Sequence, residues 1–202
     1  MINGSFMKIA VVGAGYVGLS NGILLAQHHE VVMLDVLPAK VSQLNNKQLP
    51  IEDAEMASFL ATKPLQFSAT LSAQEAYANA SFVVVATPTD YSTDANSFNT
   101  SSVEAVVADV QAMNPQATIV IKSTVPVGTA KMLRAHLSNL VDFEPHLAWN
   151  PEFLREGTAL QDTLVPDRIV IGTDDLWSEK ILRTLYAPIT SAGVPLIAMD
   201  IP

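Results

Sequence analysis

Two carboxylates four positions apart, Glu152 and Glu156, stand in the segment Asn150-Pro-Glu-Phe-Leu-Arg-Glu-Gly157. Residues at that spacing share one face of a helical turn. Like charges held so close disfavour joint ionisation, which poises one of them as a proton acceptor, with Arg155 available to offset the pair. A solvated acidic turn carries the same pattern. Two hydroxyl-bearing segments stand nearby in type: Ala86-Thr-Pro-Thr-Asp90 and Lys122-Ser-Thr-Val-Pro-Val-Gly128, each behind an apolar run. Pro88 cannot continue a central ladder, so the chain must leave the sheet there, with Thr87 and Thr89 at its edge. Ser123 and Thr124 hold the matching position after the next run. Taken alone, a Thr-Pro-Thr turn is more often structural. Two such edges beside a glycine-rich turn make a cleft.

That turn is Gly13-Ala-Gly-Tyr-Val-Gly18, entered from the apolar run Met7–Val12 and followed by a helical pattern. Gly13 makes the tight bend, Gly15 lets a pyrophosphate approach the backbone, and Gly18 lets the helix pack on the strand. The helix N-terminus then faces the phosphates with free N–H groups and a positive dipole end. Asp35 closes the second apolar run twenty positions past Gly15. A carboxylate there accepts from ribose hydroxyls and repels a 2′-phosphate, which selects NAD over NADP. Lys40, five residues on, is within reach of the adenosine side of the cofactor or is a surface lysine. The four histidines have no metal-ligand spacing. His28 and His29 end the first helix, where a cation meets the dipole favourably. His136 lies in a helix and His146 precedes a strand. No metal site is expected.

Composition sets the frame. The 202 residues are 49% hydrophobic, ample for one core, and no run approaches the ~20 apolar residues of a membrane span. A net charge of −9 without a basic run excludes a nucleic-acid partner. No cysteine is present, which fits a reducing, cytoplasmic compartment and removes disulfides and thiolate metal sites. Residues 1–6 read as a leader or vector scar ahead of a second Met.

Apolar runs alternate with helical patterns, the signature of an α/β, doubly wound, mainly parallel Rossmann-type sheet with helices on both faces over residues 7–202. The expected strands are 7–12, 31–34, 65–67, 82–86, 118–121, 146–149, 169–171 and 195–198. The expected helices are 17–28, 39–45, 51–62, 72–78, 102–113, 129–140 and 176–186. Ser101 or Ser102 is expected to cap the helix before Val103. The polar stretch 91–99 reads as a loop at a strand's carboxyl end, where ligands bind in such sheets. The run stops at Pro202 straight after a strand, with too few residues for a substrate half, so truncation of a longer chain is expected.

Together, KIAVVGAGYVGLSNG (8–22), ATPTDY (86–91), FNTSSVEAV (98–106), IKSTVPVG (121–128), NPEFLREG (150–157) and PDRIVIG (166–172) resemble the nucleotide-sugar dehydrogenases of the UDP-glucose/GDP-mannose type, over their cofactor-binding half. The resemblance implies NAD-dependent oxidation of a sugar C6 alcohol to a carboxylate in two steps. It implies that a cysteine thiolate captures the aldehyde-level intermediate. It implies that Tyr16, Val17, Asp35, Lys40, Thr89, Thr124 and Glu156 contact NAD. It further implies that Glu152, Phe153, Leu154, Arg155 and Glu156 line the sugar-nucleotide site, and that Thr124, Glu152 and Glu156 handle water and protons. UDP-glucose is the implied substrate and a homodimer the implied full-length assembly, with the central helix and cysteine beyond Pro202. GDP-mannose or a UDP-N-acetylhexosamine remains open as the substrate. A non-catalytic dinucleotide-sensing module also remains open, and the residues past Pro202 discriminate it.

Overall fold

Strands built of Val and Ile without polar alternation must be covered on both faces, and the arrangement of the chain supplies that cover. The computed structural model describes residues 6–93 and 96–202. In chain order the elements are β1 (Lys8–Val12), α1 (Tyr16–Leu25), β2 (Glu30–Leu34), α2 (Pro38–Asn45), α3 (Ala54–Thr62), β3 (Phe67–Thr70), α4 (Ala73–Tyr77) and β4 (Phe82–Val85). A two-residue hairpin, β5 (Tyr91–Ser92) and β6 (Ser97–Phe98), follows. Then come α5 (Ser101–Met113), β7 (Thr118–Ile121), α6 (Thr129–Ser138), β8 (Leu147–Trp149), α7 (Ala159–Leu164), β9 (Ile169–Gly172), α8 (Leu176–Leu185), α9 (Ala187–Thr190) and β10 (Leu196–Met199).

The main sheet has the order β10-β9-β8-β7-β4-β1-β2-β3. From β3 to β8 every pairing is parallel, with β1 in the middle flanked by β2 and β4. This is the doubly wound dinucleotide-binding order, whose crevice opens where the winding reverses, between β1 and β4. β9 departs from it: it runs antiparallel to β8 through Trp149 and Gly172, and β10 then pairs parallel to β9. Alternate residues of each strand serve opposite faces. Ile9, Val11, Met33 and Val84 pack with residues of α1, α3, α7 and α8, whereas Ala10, Val12, Val83, Val85 and Ile121 pack with residues of α4, α5 and α6. Each large aliphatic side chain buried this way stabilises by about 1.5–3 kcal/mol.

Most expected elements are present, and the differences have local causes. The third strand is 67–70 rather than 65–67, because pairing with Val31–Leu34 selects Phe67–Thr70. The first helix stops at Leu25, whose carbonyl accepts from both His28 and His29 N–H in a turn. His29 is therefore no helix-end cation: burial, reinforced by the charge of His28, lowers its pKa and favours the neutral ring. The helix expected from 51 begins at Ala54, where Asp53 accepts from Met56 N–H and caps it. The serine cap before α5 is also corrected. Thr100 holds the N-cap position without a capping bond, and Ser101 already lies in the helix. The loop expected over 91–99 contains the β5–β6 hairpin, and residues 94 and 95 of it lie outside the described residues. So do residues 1–5 of the expected leader. Helices α7 and α9 are too short to leave a periodic signal. No helix among the described residues is long and apolar enough to cross a membrane.

Candidate functional site

The glycine turn is shaped by contacts that forbid side chains. A Cβ on Gly18 would stand 1.8 Å from the carbonyl oxygen of Gly13, and one on Gly13, at φ +102°, 2.5 Å from that of Ala86. These two glycines lock the exits of β1 and β4 together over the start of α1. Gly15 differs: a Cβ there would meet nothing within 4 Å. It is the N-cap of α1, with no capping side chain and no acidic residue in the first turn. Tyr16 and Val17 open the helix, and the Tyr16 hydroxyl reaches the carbonyl of Glu52 at 3.3 Å. Open space above Gly15, with a helix N-terminus beneath it, fits a pyrophosphate.

Asp35 is buried and its carboxylate already has partners. It accepts from Ala14 N–H at 2.8 Å and from Leu37 N–H at 2.9 Å. The second bond also makes it the cap of the turn before Pro38. Lys40 donates to the carbonyl of Ala14 at 3.0 Å and lies 3.9 Å from Asp35. Both residues therefore brace the glycine turn from the side of the second strand. Val36, 87% exposed, projects beside them.

The hydroxyl segments meet across the next two strand ends. Thr89 donates to the carbonyl of Thr124 at 2.5 Å, and Ser123 to that of Thr87 at 2.7 Å. Ser102 donates to the carbonyl of Pro88 at 2.7 Å, tying the first turn of α5 to the same bend. The Thr124 side chain lies near the Glu152 carboxylate and favours its ionised form. Burial raises the Glu152 pKa, while the nearby Lys122 charge, a backbone hydrogen bond and Thr124 oppose the rise. One carboxylate oxygen, Oε2, is buried with no partner among the described residues.

The expected helical face shared by Glu152 and Glu156 does not exist. Residues 150–158 form a loop in which Gly157 takes a left-handed φ of +82°. Glu152 is half-buried beside Thr124, whereas Glu156 is exposed. The proton affinity of Glu152 is thus raised by desolvation and not by its acidic neighbour. Arg155 offsets neither glutamate: its guanidinium grips Asp162 at 2.7 and 3.1 Å, and the same carboxylate accepts from its backbone N–H. Phe153 is half-exposed and lies under the guanidinium of Arg168, 4.0 Å from the ring centre. Leu154 packs against the core. Glu152, Phe153 and Leu154 line a cavity of about 40 Å³ with Lys122, Asn150 and Tyr186. That is room for water and not for a sugar nucleotide.

Sequence reasoning missed Lys122, Asn150 and Tyr186. Lys122 reads as the polar residue after a strand, and only its burial singles it out. Asp53 was missed as well; besides capping α3 it accepts from Ala159 N–H at 3.1 Å and so fixes the start of α7 after the loop. Among the described residues no group of His, Cys, Asp and Glu could hold a metal ion.

Comparison with known proteins agrees with this fold. A family model described as the UDP-glucose/GDP-mannose dehydrogenase family, NAD binding domain, matches residues 7–190. The UDP-glucose 6-dehydrogenase of Streptococcus pneumoniae is 46% identical over 168 residues, covering 83% of this chain and 41% of that protein. The UDP-glucose 6-dehydrogenase of Campylobacter jejuni subsp. jejuni is 40% identical over 198 residues, covering 96% of this chain and 49% of its own length. The chain spans about half the length of the curated relatives it matches. Among solved structures, a UDP-glucose dehydrogenase from the hyperthermophilic archaeon Pyrobaculum islandicum superposes with a TM-score of 0.85 at 32% identity, covering 100% of this chain and 48% of that one. A GDP-mannose dehydrogenase from Pseudomonas aeruginosa gives 0.87 at 25% identity, with 96% and 47% covered. The match runs from the first strand to the last helix, across both halves of the crevice, and the chain belongs to the UDP-glucose/GDP-mannose dehydrogenase family as an NAD-binding domain.

Proposed function

We propose that this chain holds NAD for a dehydrogenase that oxidises UDP-glucose to UDP-glucuronate. The observation that carries the cofactor half is the open approach to Gly15 above the uncapped N-terminus of α1. Backbone N–H groups around Gly15, Tyr16 and Val17 bind the pyrophosphate, and Gly13 and Gly18 hold them in place. Asp35 accepts from the ribose hydroxyls and Lys40 steadies it, while Thr89, Thr124 and Glu156 meet the cofactor further along the cleft. When bound, NAD supplies the hydride acceptor. Glu152 takes up a proton at Oε2, the oxygen without a protein partner, and Thr124 orients that carboxylate through its hydroxyl. Phe153, Leu154 and Arg155 form one wall of the sugar-nucleotide site, with Glu152 and Glu156 at its two ends. This chain has no cysteine, so the thiolate comes from outside these 202 residues. Residues 7–202 act as one domain of a longer, cytoplasmic, homodimeric enzyme.

The substrate reading is supported by curated relatives at 46% and 40% identity that are UDP-glucose 6-dehydrogenases. The GDP-mannose dehydrogenase resembles the chain at 25%, a weaker guide to substrate. Calorimetric titration of the chain with NAD and with NADP tests the first half, and equal affinities would refute it. Steady-state kinetics of the longer enzyme with UDP-glucose and GDP-mannose tests the second, and a preference for GDP-mannose would replace the substrate. The isolated chain is expected to bind NAD without turnover. Sustained NADH production from UDP-glucose by these 202 residues would overturn the assignment of roles.

A further inference from the structure

Lys122 is 5% exposed, and nothing in the proposed reaction uses it. Its ammonium donates to the carbonyl oxygen and to Oδ1 of Asn150, each at 3.1 Å. Asn150 is locked in turn, donating to the carbonyl of Val170 at 2.7 Å and accepting from the Tyr186 hydroxyl at 2.6 Å. Glu152 lies two residues further on. Lys122 and Glu152 line the same cavity of about 40 Å³, large enough to hold a water. Oε2 of Glu152 is buried and has no partner among the described residues.

A buried ammonium requires an anion close by. The other groups around the cavity do not provide one. Asp162 of α7 is paired with Arg155, and Arg168 ahead of β9 is a cation stacked on Phe153. Asn21 of α1 is neutral, and burial raises the pKa of Tyr186, keeping its hydroxyl a neutral donor. Glu152 is left as the counter-charge.

We propose that Lys122 is a positioning residue for Glu152: anchored on both Asn150 oxygens, its charge holds the Glu152 carboxylate ionised beside Thr124. The two groups temper each other's burial. Burial lowers the Lys122 pKa to about 8 against the pull of Glu152, and raises that of Glu152 against the pull of Lys122.

The inference deepens the proton-handling role given to Glu152, yet its test needs no turnover, so it stands or falls apart from the substrate reading. The Glu152 carboxyl is followed by carbon-13 resonance against pH in this chain, and the Lys122 ammonium likewise. Removing the cation in Lys122→Met is expected to raise the Glu152 pKa by about one unit or more. Glu152→Gln is expected to lower the Lys122 pKa by the same amount, since coupling is reciprocal. Lys122→Arg, which keeps the charge, is expected to leave Glu152 near its original titration. A Glu152 curve unmoved by Lys122→Met overturns the proposal. So does a Lys122 curve unmoved by Glu152→Gln, which decides the matter if Lys122→Met does not fold.

Discussion

At the carboxyl ends of β1 and β2 the candidate site is made of backbone; at the ends of β7 and β8 it is made of side chains withdrawn from water. On the first side Gly13 and Gly18 exist to let carbonyls and helix meet, and the buried carboxylate of Asp35 is held by the N–H groups of Ala14 and Leu37. On the second side Lys122 and Glu152 are both pushed by burial toward their neutral forms, and Oε2 of Glu152 has no partner among the described residues. The first side is a rigid cradle whose groups are content without a ligand. The second stores unfavourable charge, as sites that move protons do. Mutations should therefore damage stability on one side and function on the other.

The largest effect expected is on turnover of the longer enzyme. Glu152→Gln should lower it by ~10²–10⁴-fold, the usual cost of losing an acid–base partner. Its melting temperature at neutral pH should change little. The sign follows from the raised folded pKa: the unfolded chain releases this proton first, so Glu152 favours folding only when protonated and that contribution is lost as pH rises. Glutamine removes that neutral-pH cost but also takes the counter-charge from Lys122, so the two effects oppose each other. Thr124→Ala should follow Glu152→Gln in rate, and exposed Glu156→Gln should cost less. Kinetics beside melting curves measures all three, and a melting temperature that falls with activity would erase the contrast.

Next in size is a pair of glycine substitutions that divides the cradle itself. Gly18→Ala forces a Cβ against the Gly13 carbonyl and should lose at least the 1–3 kcal/mol of an overpacked site. Gly15→Ala meets open space and should stay within about 1 kcal/mol of the parent, yet bind NAD more weakly. Urea unfolding with calorimetric titration separates the two. Equal losses of stability would mean that Gly15 is structural as well.

Asp35→Asn probes selectivity with an acceptor retained for the turn. NAD affinity should fall, and the preference over NADP should shrink roughly tenfold, consistent with the ~1.5–3 kcal/mol of a hydrogen bond to a charged group. Asp35→Ala should erode the preference further, while also stranding the buried Ala14 N–H. An unchanged preference in both would remove Asp35 from cofactor choice.

The smallest effect concerns the loop carrying Glu152. The hydrogen bond from Arg155 holds the Asp162 carboxyl down to about 2, so its contribution is present above the usual 3.8 and is lost as pH falls toward 2. Arg155 is 78% exposed, and solvent screens the pair. Asp162→Asn should therefore flatten acid unfolding only slightly, and added salt should mimic it in the parent. A large shift in the acid midpoint would mark this pair as an anchor of the loop.

The sequence by itself determined the cradle and the winding of the sheet around it. A G-x-G-x-x-G turn between an apolar strand and a helix, with Asp35 closing the next strand, is a pattern legible in residue spacing, although its contacts reach Ala86 on the neighbouring strand end. The same holds for the alternation of strands and helices, and for the meeting of the Thr89 and Thr124 edges, which follows from strand order. Only the tertiary structure decided the other side. Four-residue spacing placed Glu152 and Glu156 on a helical face, but the segment is a loop, and the next helix waits until Ala159, where Asp53 from 106 residues away bonds its first N–H. The antiparallel turn of β9 rests on a pairing with Trp149 that no local pattern announces. Lys122 reads as an ordinary lysine until β8 and Tyr186 close over it. Burial, and the proton affinities it sets, depends on what distant segments remove from water, and spacing along the chain carries no measure of that.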